Sequence, residues 1–250
     1  IRPDRSVGQT SLQSRSVPQW NSDKSIWEWW YWASTKVPSS GGSENSSRDI
    51  MYYATSTDGE HWERPALGLH DWNGSKDNNI AFDPNAGSRP IYHIIRDERE
   101  KDPTRRYKGL FNAHNRFLGV SPDGFQWEML DVPPIPSQDE SHFTYDEISG
   151  QYIAMIKLST QWGRSVWLST SKDFVHFSEP KLIFNSDEID WQNCRQRVRE
   201  VIENPDYITP PVIDDEDYIA EVYQMAVLPY EGVYLGFPCL FNPFGANPPP

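Results

Sequence analysis

The residues best suited to chemistry in this sequence are acidic. Asp139-Glu140-Ser141-His142 sets two carboxylates beside an imidazole. Adjacent carboxylates repel, so one of them holds its proton more tightly, and a histidine adds a group that titrates near neutrality. Such a set is material for general acid–base work; the competing reading is a solvated loop. Asp214-Asp215-Glu216-Asp217 has the oxygen ligands for calcium, although an acidic surface loop is the favoured reading. The six histidines are dispersed without zinc-ligand spacing. Neither a glycine-rich phosphate loop nor a nucleophile-elbow serine is present, so no cofactor and no metal is called for.

Charge and composition narrow the partners. A formal net charge of −13 is the wrong sign for a nucleic-acid binder, and the one basic cluster, Arg195, Arg197 and Arg199, is interleaved with Glu200 and Glu203. Aromatic residues reach 14% of the 250, including 11 Trp and 12 Tyr, which argues for an ordered core rather than disorder. Large rings fill inter-sheet cores and, where exposed, stack on ligands. The most apolar stretch, Val222 to Phe241, contains Pro229, Glu231 and Pro238, which is incompatible with a membrane-spanning helix. Cys194 and Cys239 are the two cysteines, enough for one disulfide. Asn45-Ser46-Ser47 and Asn73-Gly74-Ser75 fit the N-glycosylation acceptor pattern of a secreted protein, against a background of chance matches. The chain opens on Ile1 with no signal peptide, and its natural amino terminus is expected upstream.

The elements that would position these groups are repeated hairpins. Ser56-Thr57-Asp58-Gly59-Glu60-His61-Trp62 recurs as Ser121-Pro122-Asp123-Gly124-Phe125-Gln126-Trp127, and in degraded form as Ser171-Lys172-Asp173-Phe174-Val175-His176-Phe177. In each copy a strand ends at the serine, Asp-Gly turns the chain because glycine tolerates positive φ, and an aromatic returns inward. A second hairpin precedes each copy, as in Phe143–Asp146 followed by Gln151–Ile156. Two hairpins make a four-stranded unit of the size of a propeller blade. The expected fold is therefore an all-β propeller forming one domain over residues 1–246. Its blades fall at about 13–66, 88–132 and 139–182, with half of another from 220 and an extended tail at 247–250. Three and a half blades cannot close a ring, so a piece of a longer propeller is expected. Between them, Cys194, Val198, Val201 and Ile202 recur at helical spacing, and Asn204-Pro205 ends the pattern, predicting a short helix near 187–203.

Particular phrases carry a resemblance. Tyr53-Ala54-Thr55-Ser56, Trp62-Glu63-Arg64-Pro65 and Asn73 through Ile80, with Glu221-Val222-Tyr223-Gln224-Met225 and Pro229 through Gly236, are similar to stretches of family 32-like and family 43-like glycoside hydrolases. The resemblance covers about residues 50 to 240. It implies a five-bladed propeller related to invertases, fructanases and arabinanases, hydrolysing or binding a glycan in a central axial pocket. The serine–aspartate–glycine repeat also resembles the Asp-box hairpin of sialidases, which has one more residue between Asp and Gly and so ranks lower.

Within that resemblance, two carboxylates would flank the scissile bond at the beginnings of the inner strands. Glu140 and Asp139 lead into the inner strand of the third blade, and Glu221 opens that of the fourth. These three are the candidate acid, base or nucleophile. Tyr223, two residues on and facing the same way, would line the pocket with Arg89 and His142. Asp77 and Asn78, with Asn79, either bind sugar hydroxyls at the entry to the second blade or build Asx turns, the turn being favoured. Asp97 and Asp146 sit in turns at the opposite strand ends and are expected to be structural. Two departures from the resembled pattern stand out. Ser88-Arg89-Pro90 replaces Arg-Asp-Pro, and Gln13-Ser14-Arg15 occupies the nucleophile's place, with Asp4 the nearest carboxylate. The leading expectation is a secreted, extracellular or periplasmic glycoside hydrolase-like propeller whose partner is an oligo- or polysaccharide. The alternatives are an inactive propeller that binds carbohydrate or protein, and a structural subunit of an extracellular assembly.

Overall fold

The computed structural model describes residues 1–37, 47–83, 90–206 and 219–241. Arg89, Asn45, the acidic run 214–217 and the tail 247–250 lie outside the described residues. Strands dominate, and they form antiparallel sheets in two compact units, Ile1–Pro134 and Ile135–Pro250.

The first unit holds two sheets. In one, β1 (Gln9–Gln13) and β2 (Gln19–Asn21) share one side of β3 (Ile26–Lys36), followed by β4 (Ser47–Ser56) and β5 (Ile80–Phe82). The sheet therefore reaches beyond the bound that the repeat suggested near residue 66. Residues 77–79 lead into its outer strand rather than into the second blade, because Asn79 donates through Nδ2 to Tyr53 O (2.7 Å) and Tyr31 Oη (3.3 Å). The other sheet runs in chain order: β6 (Ile91–Arg96), β7 (Tyr107–Phe111), β8 (Phe117–Ser121) and β9 (Glu128–Met129). The second unit repeats that order in β10 (Ser141–Asp146), β11 (Gln151–Thr160), β12 (Gly163–Ser171) and β13 (Lys181–Phe184). After β13 comes α1 (Glu188–Glu203), where the helix was expected, and then the hairpin of β14 (Glu221–Tyr230) and β15 (Val233–Phe241).

The aromatic content is explained by strands that bury both faces. Successive side chains of a strand point to opposite faces. On β3, Trp30 and Trp32 join Met51, Tyr53, Ile91 and Phe111 in one core, while Tyr31 and Ala33 join Ile50, Tyr52 and Ile80 in another. In the second unit Ile153, Met155 and Val166 pack against Val222, Met225 and Val227 of β14.

The repeated motif is a side-chain clasp. Ser56 Oγ accepts the Gly59 N–H at 2.9 Å, and Asp58 Oδ1 accepts those of Glu60 and His61, both at 2.8 Å. Ser121 and Asp123 do the same for Gly124, Phe125 and Gln126. Gly124 adopts φ +81°, and a Cβ there would lie 2.4 Å from Trp30 Cζ2 of the neighbouring sheet, so both backbone and packing demand glycine. In the degraded copy Phe174 takes that place at φ 60°, with its side chain fully buried against Phe143 and Tyr152.

One buried charge ties the two sheets of the first unit. Glu28, wholly inaccessible, accepts from Tyr53 Oη (2.7 Å), Tyr107 Oη (2.5 Å) and Asn21 Nδ2 (3.0 Å), and pairs with Lys24 at 3.2 Å. Burial pushes its pKa up, but the hydrogen bonds from Tyr107, Tyr53 and Asn21, together with Lys24, outweigh it and hold the carboxyl below the usual range. The ionised form thus belongs to the fold. Its stabilisation is present above the unfolded-state pKa and is lost as pH falls below about 4. Glu28→Leu, which orphans three buried donors, is expected to lower stability by about 3 kcal/mol in chemical denaturation at pH 7. Glu28→Gln should also weaken the acid-side decline in stability below pH 4.

Candidate functional site

Four strand ends meet at one end of the second unit. β10 begins at Ser141, which pairs with Ile156 of β11; β12 begins at Gly163, opposite Thr160; β14 begins at Glu221, opposite Phe241. Asp139, Glu140, Lys157, Arg164, Glu221 and Tyr223 are therefore gathered at that end.

Two ion pairs organise it. Lys157 Nζ, on a side chain only 1% exposed, lies 2.6 Å from Asp139 Oδ1 and 3.9 Å from the centroid of the Tyr223 ring. Partial burial raises the Asp139 pKa, but the hydrogen bond and charge of Lys157 prevail and keep the carboxyl ionised below its ordinary range. Glu221 receives the Arg164 backbone N–H on Oε1 (2.9 Å) and Arg164 Nη1 on Oε2 (2.6 Å). That clamp requires Gly163, where φ is +79° and a Cβ would lie 2.4 Å from Glu221 Oε1. The carboxylate thus sits directly against the turn joining β11 and β12. Phe241 lies 5.7 Å from Tyr223, ring to ring.

His142 has a different task. Its Nδ1 accepts the Val227 N–H at 3.3 Å, joining β10 to β14, and burial pulls the ring pKa down to about 4. An imidazole kept neutral in this way is a structural acceptor near neutral pH rather than a proton shuttle.

The other expected site residues are elsewhere. Asp77 is exposed in the first unit, and Asn78 builds turns there: its Nδ2 donates to His70 O and Ser75 O, and its Oδ1 accepts from Ile80 N. Asn73 is exposed in a tight turn with φ 54°. Asp146 Oδ2 accepts from Ser149 Oγ and Tyr234 Oη, and Asp97 Oδ1 from Arg99 N, so both hold turns. Cys194 is buried on α1 and Cys239 exposed on β15, both free. Lys157 and Arg164 were not anticipated. A lysine inside the largely apolar strand Gln151–Thr160, buried along its middle, is the signal that could have marked a buried charge needing a partner. Among the described residues no cluster of three or more histidines, cysteines or acids is placed to hold a metal ion, and no helix is long and apolar enough to cross a membrane. A cavity of ≈ 420 Å³ opens at the other end of the β10–β13 sheet, against Gln151, Asp173 and His176, and contains none of the expected residues.

No family model matches the chain, and no curated protein matches it. Among solved structures, the β-fructofuranosidase of Schwanniomyces occidentalis, complexed with fructosyl-erythritol, aligns with a TM-score of 0.50 at 12% identity, covering 74% of this chain and 36% of that one. The chain has a glycoside hydrolase-like propeller fold. A candidate glycoside hydrolase of Parabacteroides distasonis ATCC 8503 aligns at TM-score 0.38 and 18% identity, covering 67% of this chain and 51% of its own. A glycosyl hydrolase of Bacteroides ovatus aligns at 0.35 and 17%, covering 67% and 50%. The chain spans about a third to a half of the length of these structures.

The neutral state of His142 has a measurable consequence. Below its unfolded-state pKa near 6.5 the unfolded chain takes up a proton that the folded chain refuses until about pH 4. Stability should therefore drop on going from pH 7 to pH 5, by on the order of 1–2 kcal/mol from this residue. Urea denaturation at both pH values should show that drop in the wild type and a smaller one in His142→Gln.

Proposed function

We propose that this chain is the propeller of a glycoside hydrolase that cleaves an O-glycosyl bond of an oligo- or polysaccharide, with Asp139, Glu140 and Glu221 as its acidic groups. The observation that carries this reading is the convergence of these carboxylates at the strand-start end of one glycoside hydrolase-like unit, two of them held by buried or clamped cations. Glycoside hydrolysis needs one carboxyl to protonate the leaving oxygen and another, ionised, to act as base or nucleophile or to stabilise the oxocarbenium-like transition state. Asp139, kept ionised by Lys157, suits the second role. Glu140, half-buried beside it, is the residue for the first. Glu221, oriented by Arg164, completes the set. Tyr223 presents one ring face to Lys157, so it lines the site rather than stacking on substrate with that face. A secreted, extracellular or periplasmic location agrees with a polysaccharide substrate and with Asn73 exposed as a glycan acceptor.

A specific observation favours a second reading, glycan binding without turnover: both Glu221 oxygens are already engaged by Arg164, which ties that carboxylate to the β11–β12 turn. The two are separated by assaying the protein on fructans, arabinans and other plant and algal glycans. Fructans come first because the fold neighbour from Schwanniomyces occidentalis was complexed with fructosyl-erythritol. Release of reducing sugar, reduced about 10²- to 10⁴-fold in kcat/KM by Glu140→Gln or Asp139→Asn, is the expected result. Saturable binding with no product, unaffected in stoichiometry by either substitution, identifies the second reading. Neither binding nor cleavage across the panel overturns both.

A further inference from the structure

Two tryptophans stand beside the charged cluster and have no part in the roles given above. Trp162 forms the turn between β11 and β12, two residues before Arg164. Its N–H donates to Thr160 Oγ1 at 3.0 Å, and its carbonyl accepts from Ser186 Oγ at 3.2 Å, the serine being fully buried. The next residue, Gly163, packs directly on the Glu221 carboxylate. Trp191 comes from the first turns of α1, whose amino end is held by a capping box between Asp187 and Asp190. The chain leaves β13 at Phe184, opposite Val166, and so delivers the start of α1 to the strand-start end. The two indoles meet with ring centroids 5.1 Å apart and planes inclined at 60°.

Their exposure sets them apart from core tryptophans. Trp30 and Trp32 are 1% and 4% exposed and bury their rings between sheets, whereas Trp162 and Trp191 are only half-buried. A half-buried indole on a fixed turn, with a second, on α1, whose Nε1 is itself buried, offers apolar surface at little conformational cost. A sugar ring has the matching surface, a C–H face framed by hydroxyls, and the hydroxyls need the polar partners that the adjacent charged cluster supplies.

We propose that Trp162 and Trp191 form a stacking platform that binds a sugar unit next to the one held at Asp139 and Glu221. The inference rests on the glycan reading of that site and deepens it: the substrate is a chain long enough to reach the indoles, not a disaccharide. Helix α1 then serves to complete a neighbouring subsite. Trp162 is a binding residue, and Trp191 positions it while extending the apolar face.

The test compares fructo-oligosaccharides and arabino-oligosaccharides of two and of five units on wild type, Trp162→Ala and Trp162→Phe, with thermal melts of all three. The expected result is that Trp162→Ala weakens binding or raises KM for the five-unit sugar by about five- to tenfold, leaves the two-unit sugar unchanged, and is largely rescued by Trp162→Phe. Ligand-induced change in tryptophan fluorescence should fall in Trp162→Phe relative to wild type, a readout that survives even if the alanine variant folds poorly. Equal effects on long and short sugars, or none on either, in a wild type that does bind them would overturn the platform and leave the site reading intact. A wild type that engages neither series nor any other glycan takes down the site reading, and the platform with it.

Discussion

The middle strands of these sheets must be covered on both faces, and most of the structure follows from that demand. A strand such as Ile26–Lys36 places consecutive large residues into different cores, so Trp30 and Tyr31 are neighbours in the chain but belong to separate clusters. The rings that read as an unusual aromatic load are the filling for cores on either side of one sheet. A polar group on such a strand has no route to water and has to be matched internally. Glu28 is met by two tyrosines, an asparagine and a lysine; Lys157 by Asp139 and the face of Tyr223.

The same constraint explains why the chemistry sits at strand ends. Charged groups there can keep one side towards solvent while their partners stay fixed by the sheet. Lys157 lies on β11 opposite Val166, and its head reaches the segment preceding β10. Arg164, next to the first residue of β12, reaches the first residue of β14. Each pair joins parts of the chain that no short-range rule connects. The helix between β13 and β14 is drawn into the same region by its Trp191, and His142 secures β10 to β14 through one backbone N–H.

Much of this was legible before any coordinates. The three serine–aspartate copies marked real turns, because their mechanism is local: an acceptor side chain placed two and three residues before the N–H groups it receives. The helix near 187–203 was legible for the same reason, its cap and its apolar spacing being contained in the segment. Asp139, Glu140, Glu221 and Tyr223 were expected at strand starts because the resemblance implies a site there; β10 begins at Ser141 and β14 at Glu221. Asn78 resolved towards its turn role, again a matter of neighbours within a few residues.

By itself, then, the sequence determined the elements whose forces act within about a dozen residues: the clasps, the hairpins, the helix and the alternation of buried faces. Tertiary structure alone decided which charge answers which. Arg164 and Glu221 are 57 positions apart, and Tyr107 and Glu28 are 79 apart. Burial sets the protonation that such partners impose, so the ionised state of Asp139 and the neutral state of His142 became readable only when their surroundings did.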